Sequence, residues 1–259
     1  MNFVLEALAY ILDPANWAPG LRSPLPIGDR IAEHLFYTAV TIPIAAIIAL
    51  PLGFYIGHTG RGRQFVIGFT GAMRALPTLG LLYFLTMIVG YQLDLLQSAF
   101  VGSIIALVIL AIPSILAGAY SGLESVDRQT IDAARANGMT EMQILVQVEI
   151  PLALPLIVGG IRSAVLQVIA TATIASFLGL GGLGRIITAG IALNDFTVIL
   201  AGAFLVTVLA LVVDGVFALL QRLTATRGLA TRRRDDRKNL RTLSSGPAAA
   251  VGSPTTQGK

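Results

Sequence analysis

Five long stretches of this chain lack charged residues or carry one at most, and they constrain the fold more than anything else in the sequence. Leu35 to Gly57 and Ser98 to Tyr120 carry no charge at all. Phe65 to Gly90 carries only Arg74, Pro151 to Leu178 only Arg162, and Phe196 to Leu220 only Asp214. A helix needs roughly 20 apolar residues to cross a bilayer core, and every run meets that length. Only 12% of the 259 residues are charged, against about a quarter in an ordinary soluble domain. So little polar sequence cannot cover five apolar helices in water, so lipid is the solvent they require. The expectation is an all-α polytopic membrane protein with about five spans. Cysteine is absent, which excludes a disulfide framework and thiolate chemistry.

Positive charge sets the orientation. Arg61 and Arg63 follow the first run, Arg128 and Arg135 follow the third, and a basic tail follows the fifth. The opposite side has no basic residue in Tyr91 to Gln97, and Arg185 alone in Gly179 to Asp195. The N-terminus is therefore expected outside and the C-terminus in the cytoplasm, with Arg74 snorkelling to the cytoplasmic surface. From Arg222 onward there are nine Lys and Arg against Asp235 and Asp236, which accounts for the net charge of +4. That cluster lies just past a span without interleaved aromatic residues. It suits anionic lipid headgroups, not nucleic acid. Beyond Ser244 the Ser, Gly, Pro, Ala and Thr composition predicts disorder.

The chain thus divides into an extracytoplasmic leader (1–34), a membrane domain (35–222) with a cytoplasmic loop (121–149), and a basic tail (223–259). Glu6, Asp13 and Pro14 interrupt the leader and argue against a cleaved signal peptide. Phe3, Val4, Ala7, Leu8, Ile11 and Leu12 fall at helical spacing, which suits either a surface-lying amphipathic helix or a loosely ordered leader.

The loop 121–149 is long, polar and helix-forming. Asp127 is placed to cap a helix over 128–137, and Gly138 permits a sharp stop. A second helical segment is expected over 140–148. Pro151 falls where the next span would begin, a position that suits its missing N–H. Ala133, Ala134 and Ala136 are expected to give the first helix a low-relief surface open to a partner.

Asp132-Ala133-Ala134, then three residues, Gly138, then nine residues, then Val148-Glu149-Ile150-Pro151 closely resembles the Glu-Ala-Ala loop of ABC importer permeases. Asp132, Val148 and Ile150 replace Glu, Ile and Leu of that pattern, each keeping its character. Ala75-Leu76-Pro77-Thr78-Leu79, the run Gly179-Leu180-Gly181-Gly182-Leu183-Gly184 and the leader's Asp13-Pro14-Ala15-Asn16-Trp17 are similar to permeases for glycine betaine, choline, carnitine or proline betaine. The resemblance spans roughly Met1 to Thr224. It implies a type I ABC importer permease fold, with the loop as a coupling helix docked in a groove of a separate ATPase. It also implies a second permease subunit (identical or related), two ATPase subunits that use ATP and Mg, and an extracytoplasmic binding protein. This chain would bind no cofactor itself.

Gly179, Gly181 and Gly184 match G-x-G-x-x-G in form, but they follow an apolar helix and not a strand. A tight outer turn, approached by a second copy or a binding protein, is the expectation for Gly179, Gly181, Gly182 and Gly184. No P-loop exists, since Lys238 precedes Asn239 and Lys259 ends the chain. His34 and His58 lack partner ligands in the sequence and are read as interface residues, not metal or catalytic groups. Arg162 and Asp214 lie inside spans at depths differing by about one turn. Either they pair or line an aqueous path, or each snorkels or bonds to backbone. Gly159, Gly160, Ser163 and Gly202 suit close helix approach, and Pro43, Pro51 and Pro113 imply kinks. Competing functions are an ABC permease for another small solute such as an amino acid, an ion-driven secondary carrier, and a scaffold. A carrier needs more than one intramembrane carboxylate and usually an internal repeat.

Overall fold

The computed structural model describes residues 2–18, 26–91 and 93–224, without the side chains of Phe65, Arg74, Leu95 and Leu96. The basic tail and its expected disorder lie outside the described residues, as does the snorkelling expected of Arg74. Among the described residues every regular element is a helix. In chain order they are α1 (Phe3–Leu12), α2 (Ile27–Thr59), α3 (Arg63–Arg74), α4 (Thr78–Gly90), α5 (Leu95–Glu124), α6 (Arg128–Ala136), α7 (Glu141–Ile144), α8 (Ile150–Ala175), α9 (Gly184–Leu193) and α10 (Phe196–Thr224).

Four described helical stretches are long and apolar enough to cross a membrane: Ile27–Thr59, Gln97–Glu124, Glu141–Leu178 and Phe196–Thr224. The run Phe65 to Gly90, expected as one span, is instead two helices bent by 87°. Pro77 is the physical cause. Its ring disfavours helical backbone at Leu76, and it offers no N–H to continue the ladder. Pro77 itself is extended (φ −68°, ψ 113°), and its carbonyl restarts the ladder by accepting from Leu81 N at 2.9 Å. Pro43, Pro51 and Pro113, where kinks were expected, lie inside helices that continue through them.

Helix α5 is the centre of the bundle. Its apolar window is 72% buried, against 17–28% for the other three. It packs against α2, α4 and α8, and α10 joins from the far side of α8 with α9 against it. Ala45 and Ala49 of α2, Leu107, Ala111 and Ile115 of α5, and Ala164 and Val168 of α8 form the core. Small residues set the spacing: a Cβ on Gly118 would lie 2.6 Å from Gly160 Cα, so α5 and α8 cross almost backbone to backbone. In a bilayer, where apolar contact with lipid is no worse than with protein, such close packing is a main source of helix association.

The leader helix α1 is not lying free. Ala7 is fully buried, Phe3 packs on Phe196 with ring centroids 6.0 Å apart, and Thr197 Oγ1 donates to Glu6 Oε2 at 3.0 Å. Trp17 Nε1 donates to Ile11 O at 2.6 Å and folds the chain back over α1. Helix α2 begins at Ile27, ahead of the apolar run. Its first turns keep their charges paired, Arg30 Nη1 donating to Glu33 Oε2 at 2.7 Å.

Candidate functional site

The loop between α5 and α8 is a compact unit with its own small core. Asp127 Oδ1 accepts from Gln129 N at 3.0 Å and starts α6. Helix α6 ends in a Schellman motif: Met139 N donates to Ala134 O at 3.2 Å and Gly138 N to Arg135 O at 2.9 Å. Gly138 has φ +81°, the left-handed conformation this motif requires, and nothing lies within 4 Å of where its Cβ would stand. Thr140 then opens α7 with a capping box, its hydroxyl accepting from Gln143 N and its own N–H donating to Gln143 Oε1 at 2.8 Å. Val126, Ile131, Ala134 and Ile144 are buried together, with Met139 and Val148 against them.

That core corrects the expected small-residue surface. Asp132, Ala133 and Ala136 are exposed, whereas Ala134 faces inward at 8% exposure. The helical period explains it, since Ala134 lies three residues from the buried Ile131. Arg135 clamps the two helices: its Nε and Nη2 donate to the two Glu141 oxygens at 2.7 and 3.0 Å, and its Nη1 donates to Asp132 Oδ1 at 3.2 Å.

The second arm of the loop does not stop before the membrane. Helix α7 passes through a π-helical segment, Leu145–Glu149, directly into α8, giving one continuous helix over Glu141–Leu178. Ile150 N donates to Leu145 O, five residues back. Pro151 therefore lies within a continuing helix and does not open a new one. Pro151 has no N–H to donate, and it sits in the first turn after the π-helical segment, where the ladder is already interrupted. Val148 and Ile150 are half-buried, and Glu149 is buried at 3%.

His58 is not an isolated interface residue. Its Nδ1 lies 2.5 Å from Glu149 Oε2 and its Nε2 lies 3.4 Å from Glu141 Oε2. No sequence spacing pairs residues 91 apart; the available signal was an acid, Glu149, at the threshold of an apolar run. His34 is fully buried, with Nε2 3.0 Å from Ile169 O. Among the described residues no three metal-ligating side chains converge.

Arg162 and Asp214 are brought together. Arg162 Nε and Nη2 donate to the two Asp214 oxygens at 2.6 and 2.7 Å, a bidentate pair between α8 and α10. Gln221 extends it, accepting from Arg162 Nη1 at 3.4 Å and donating to Pro155 O at 3.0 Å.

The glycine turn is tight, as expected, and it packs on α2 of the same chain. Gly182 and Gly184 are buried, and Gly182 N donates to Glu33 Oε2 at 2.7 Å. Gly182 has φ +82°, and a Cβ on Gly181 would collide with the Glu33 carboxylate and Tyr37 hydroxyl. The glycines let the backbone lie against α2, leaving only Gly179 exposed.

One feature escaped the sequence reading. Tyr83, Phe84, Met87, Tyr91 and Phe177 surround an open cavity of about 660 Å³ between α4, the start of α5 and the short turn Ser176–Leu178 that follows α8. All five side chains are more than half exposed, while the exposed face of α10 is aliphatic, from Val208 to Leu223. Tyr83, Phe84 and Tyr91 come from α4 and its C-cap, and Phe177 from the turn after α8, so the sequence shows the aromatic residues of α4 but not their meeting with Phe177.

Comparison with known proteins follows the same outline. The family described as binding-protein-dependent transport system inner membrane component matches residues 49–226. The glycine betaine/carnitine/choline transport system permease protein OpuCB of Bacillus subtilis (strain 168) is 35% identical over 200 residues, covering 77% of this chain and 89% of that protein. The carnitine transport permease protein OpuCB of Listeria monocytogenes is 37% identical over 182 residues, 70% of this chain and 80% of its own length. The osmoprotectant import permease protein OsmW of Salmonella typhimurium (strain LT2) is 30% identical over 228 residues, 87% of this chain and 100% of that protein. Among solved structures, an inward-facing form of the MetNI methionine ABC transporter superposes with a TM-score of 0.66 at 24% identity. It covers 78% of this chain and 96% of the other, and shares the fold.

Proposed function

The chain belongs to the family of binding-protein-dependent transport system inner membrane components, and from that premise we propose what it carries and how. It is a multi-pass permease subunit of an ATP-binding cassette importer, and a transport subunit by family. Its solute is a small quaternary ammonium osmoprotectant of the glycine betaine, choline, carnitine or proline betaine kind. The relatives' names as glycine betaine, carnitine and choline transport permeases support that solute class.

Two permease subunits enclose the path, and a separate ATPase dimer, which binds ATP and Mg, receives one loop from each. The N-terminus lies outside and the basic tail in the cytoplasm. An extracytoplasmic binding protein selects and delivers the solute. ATP closes the ATPase dimer, the loops move, the path opens outward, and hydrolysis resets it. The aromatic cavity beside α4 is one wall of the path: its rings attract a cation without a fixed counter-charge that would trap it.

The observation that carries this reading is the construction of the loop. Helix α6 presents Asp132, Ala133 and Ala136 outward and is held on the loop's second arm by the shared core and by Arg135 on Glu141, and that arm runs from α7 into α8 as unbroken helix. A push on α6 therefore reaches α7 through side-chain packing and the membrane domain through the backbone of α7 and α8. The test is gentle purification of the complex from its native membrane, then uptake assays in proteoliposomes. A P-loop ATPase and a binding protein should co-purify, with ATP-dependent uptake of choline, carnitine or glycine betaine. A chain recovered alone, transporting on an ion gradient, would sink the proposal.

A further inference from the structure

A carboxylate buried at the membrane threshold is costly unless it is paired. Glu149, at 3% exposure, is such a group, and its partner comes from a distant helix: His58, in the last turn of α2, brings Nδ1 within 2.5 Å of Glu149 Oε2. That separation is a hydrogen bond between the imidazole and the carboxyl, which satisfies the buried polar group. The other ring nitrogen faces Glu141 Oε2 at 3.4 Å. Glu141 in turn holds Arg135 by two hydrogen bonds, and Arg135 reaches Asp132. Asp132, Arg135, Glu141, His58 and Glu149 thus form one unbroken chain of polar contacts. It starts on the exposed surface of α6, enters the end of α2 and returns to the foot of α8.

The π-helical segment is what lets one imidazole serve both carboxylates. In an uninterrupted α-helix, Glu141 and Glu149 would be rotated about 80° apart, because eight residues turn roughly 800°. The extra residue in the wider turn removes about 100° of that rotation and leaves the two side chains within roughly 20° of each other. Both then face α2. The arrangement is non-local and buried at one end, unlike a surface ion pair between neighbours on a helix, which contributes little.

We propose that His58 is the joint through which displacement of the loop is carried into α2, so that α2 and α8 move together when the ATPase closes. Helix α8 is already driven through continuous backbone. Helix α2 shares no backbone with the loop, and it packs along α5 at the bundle centre. The imidazole, fixed between a carboxylate on the loop arm and one at the foot of α8, couples the two. His58 and Glu149 are positioning residues; neither touches solute or nucleotide. The inference rests on the proposal that α6 docks on an ATPase.

The decisive quantity is solute taken up per ATP hydrolysed, in proteoliposomes holding the full complex with its binding protein and radiolabelled choline or glycine betaine. A purely structural role lowers hydrolysis and uptake in proportion and leaves that ratio unmoved. Glu149→Gln and His58→Gln should each lower the ratio by about tenfold, within the range by which substitutions along a coupling route act. The double variant should fall no further than either single one, because both cut the same link. A wild-type ratio in both single variants would overturn the joint while leaving the importer intact. Should the buried substitution prevent assembly, Glu141→Gln decides, since Glu141 is 56% exposed and its loss leaves the core untouched. It should lower the ratio at normal complex yield, and an unchanged ratio would overturn the proposal. A wild-type complex without ATPase activity would overturn the importer and the joint together.

Discussion

Gly138 shows how much one residue can decide without touching anything. Its surroundings are open, so a larger side chain meets no clash; the constraint is the left-handed backbone at φ +81°. A Cβ there costs roughly 1–2 kcal/mol and displaces the arm that carries Thr140 and Glu141. Gly138→Val should therefore leave the membrane bundle folded but uncouple hydrolysis from uptake, read as ATPase activity without solute accumulation. Equal uptake in the variant and the wild type would count against the loop as the coupling element. Asp127 acts at the other end of α6: Asp127→Ala should cost about 1 kcal/mol of local helix stability, seen as faster amide exchange over 128–136. Both residues were legible in the sequence, because capping and left-handed turns are local and depend on residue type. Ala134 shares a helical face with Ile131, but that this face turns inward depends on Ile144 and Val126 folding over it.

At the scale of elements, the junction of α8 with α10 and the break between α3 and α4 carry the consequences. Arg162 and Asp214 join α8 to α10 by a bidentate pair whose side chains are each about 30% exposed. Reversing either charge should reduce the yield of folded protein in fluorescence-detected size-exclusion chromatography. Reversing both, Arg162→Asp with Asp214→Arg, should restore much of it; a double variant as poor as the singles would mean that backbone and Gln221 contacts, not the pair, hold the helices. Charge depth along the two runs was readable from the sequence, but rotation about each helix axis was not, and rotation decides whether two side chains meet. The 87° turn at Pro77 is the converse case. Hydropathy integrates over a window and is blind to a bend, although the proline that causes it was in view.

For the whole molecule, the aromatic cavity proposed as one wall of the path contrasts with the aliphatic exposed face of α10. Replacing Tyr83, Phe84 and Tyr91 together by leucine keeps the cavity apolar but removes the ring faces. Each cation–ring contact is worth about 0.5–2 kcal/mol, so the concentration of loaded binding protein needed for half-maximal choline uptake should rise by several-fold or more. Hydrolysis without binding protein should be little changed. An unaltered uptake curve would remove the cavity from the path.

By itself the sequence determined the solvent, the helical class, the approximate number of crossings and the caps and left-handed turn of the loop 121–149. Each rests on properties summed along the chain or on residue types at fixed local spacing: length of apolar run, cap, left-handed turn. Tertiary structure alone decided that His58 meets Glu149 across 91 residues, that the glycine turn is seated on Glu33 and Tyr37, and that four rings from α4, its C-cap and the turn after α8 gather round one cavity. Those outcomes depend on how helices rotate and approach once their small residues interlock, as Gly118 and Gly160 do, and a linear pattern holds no record of that angle.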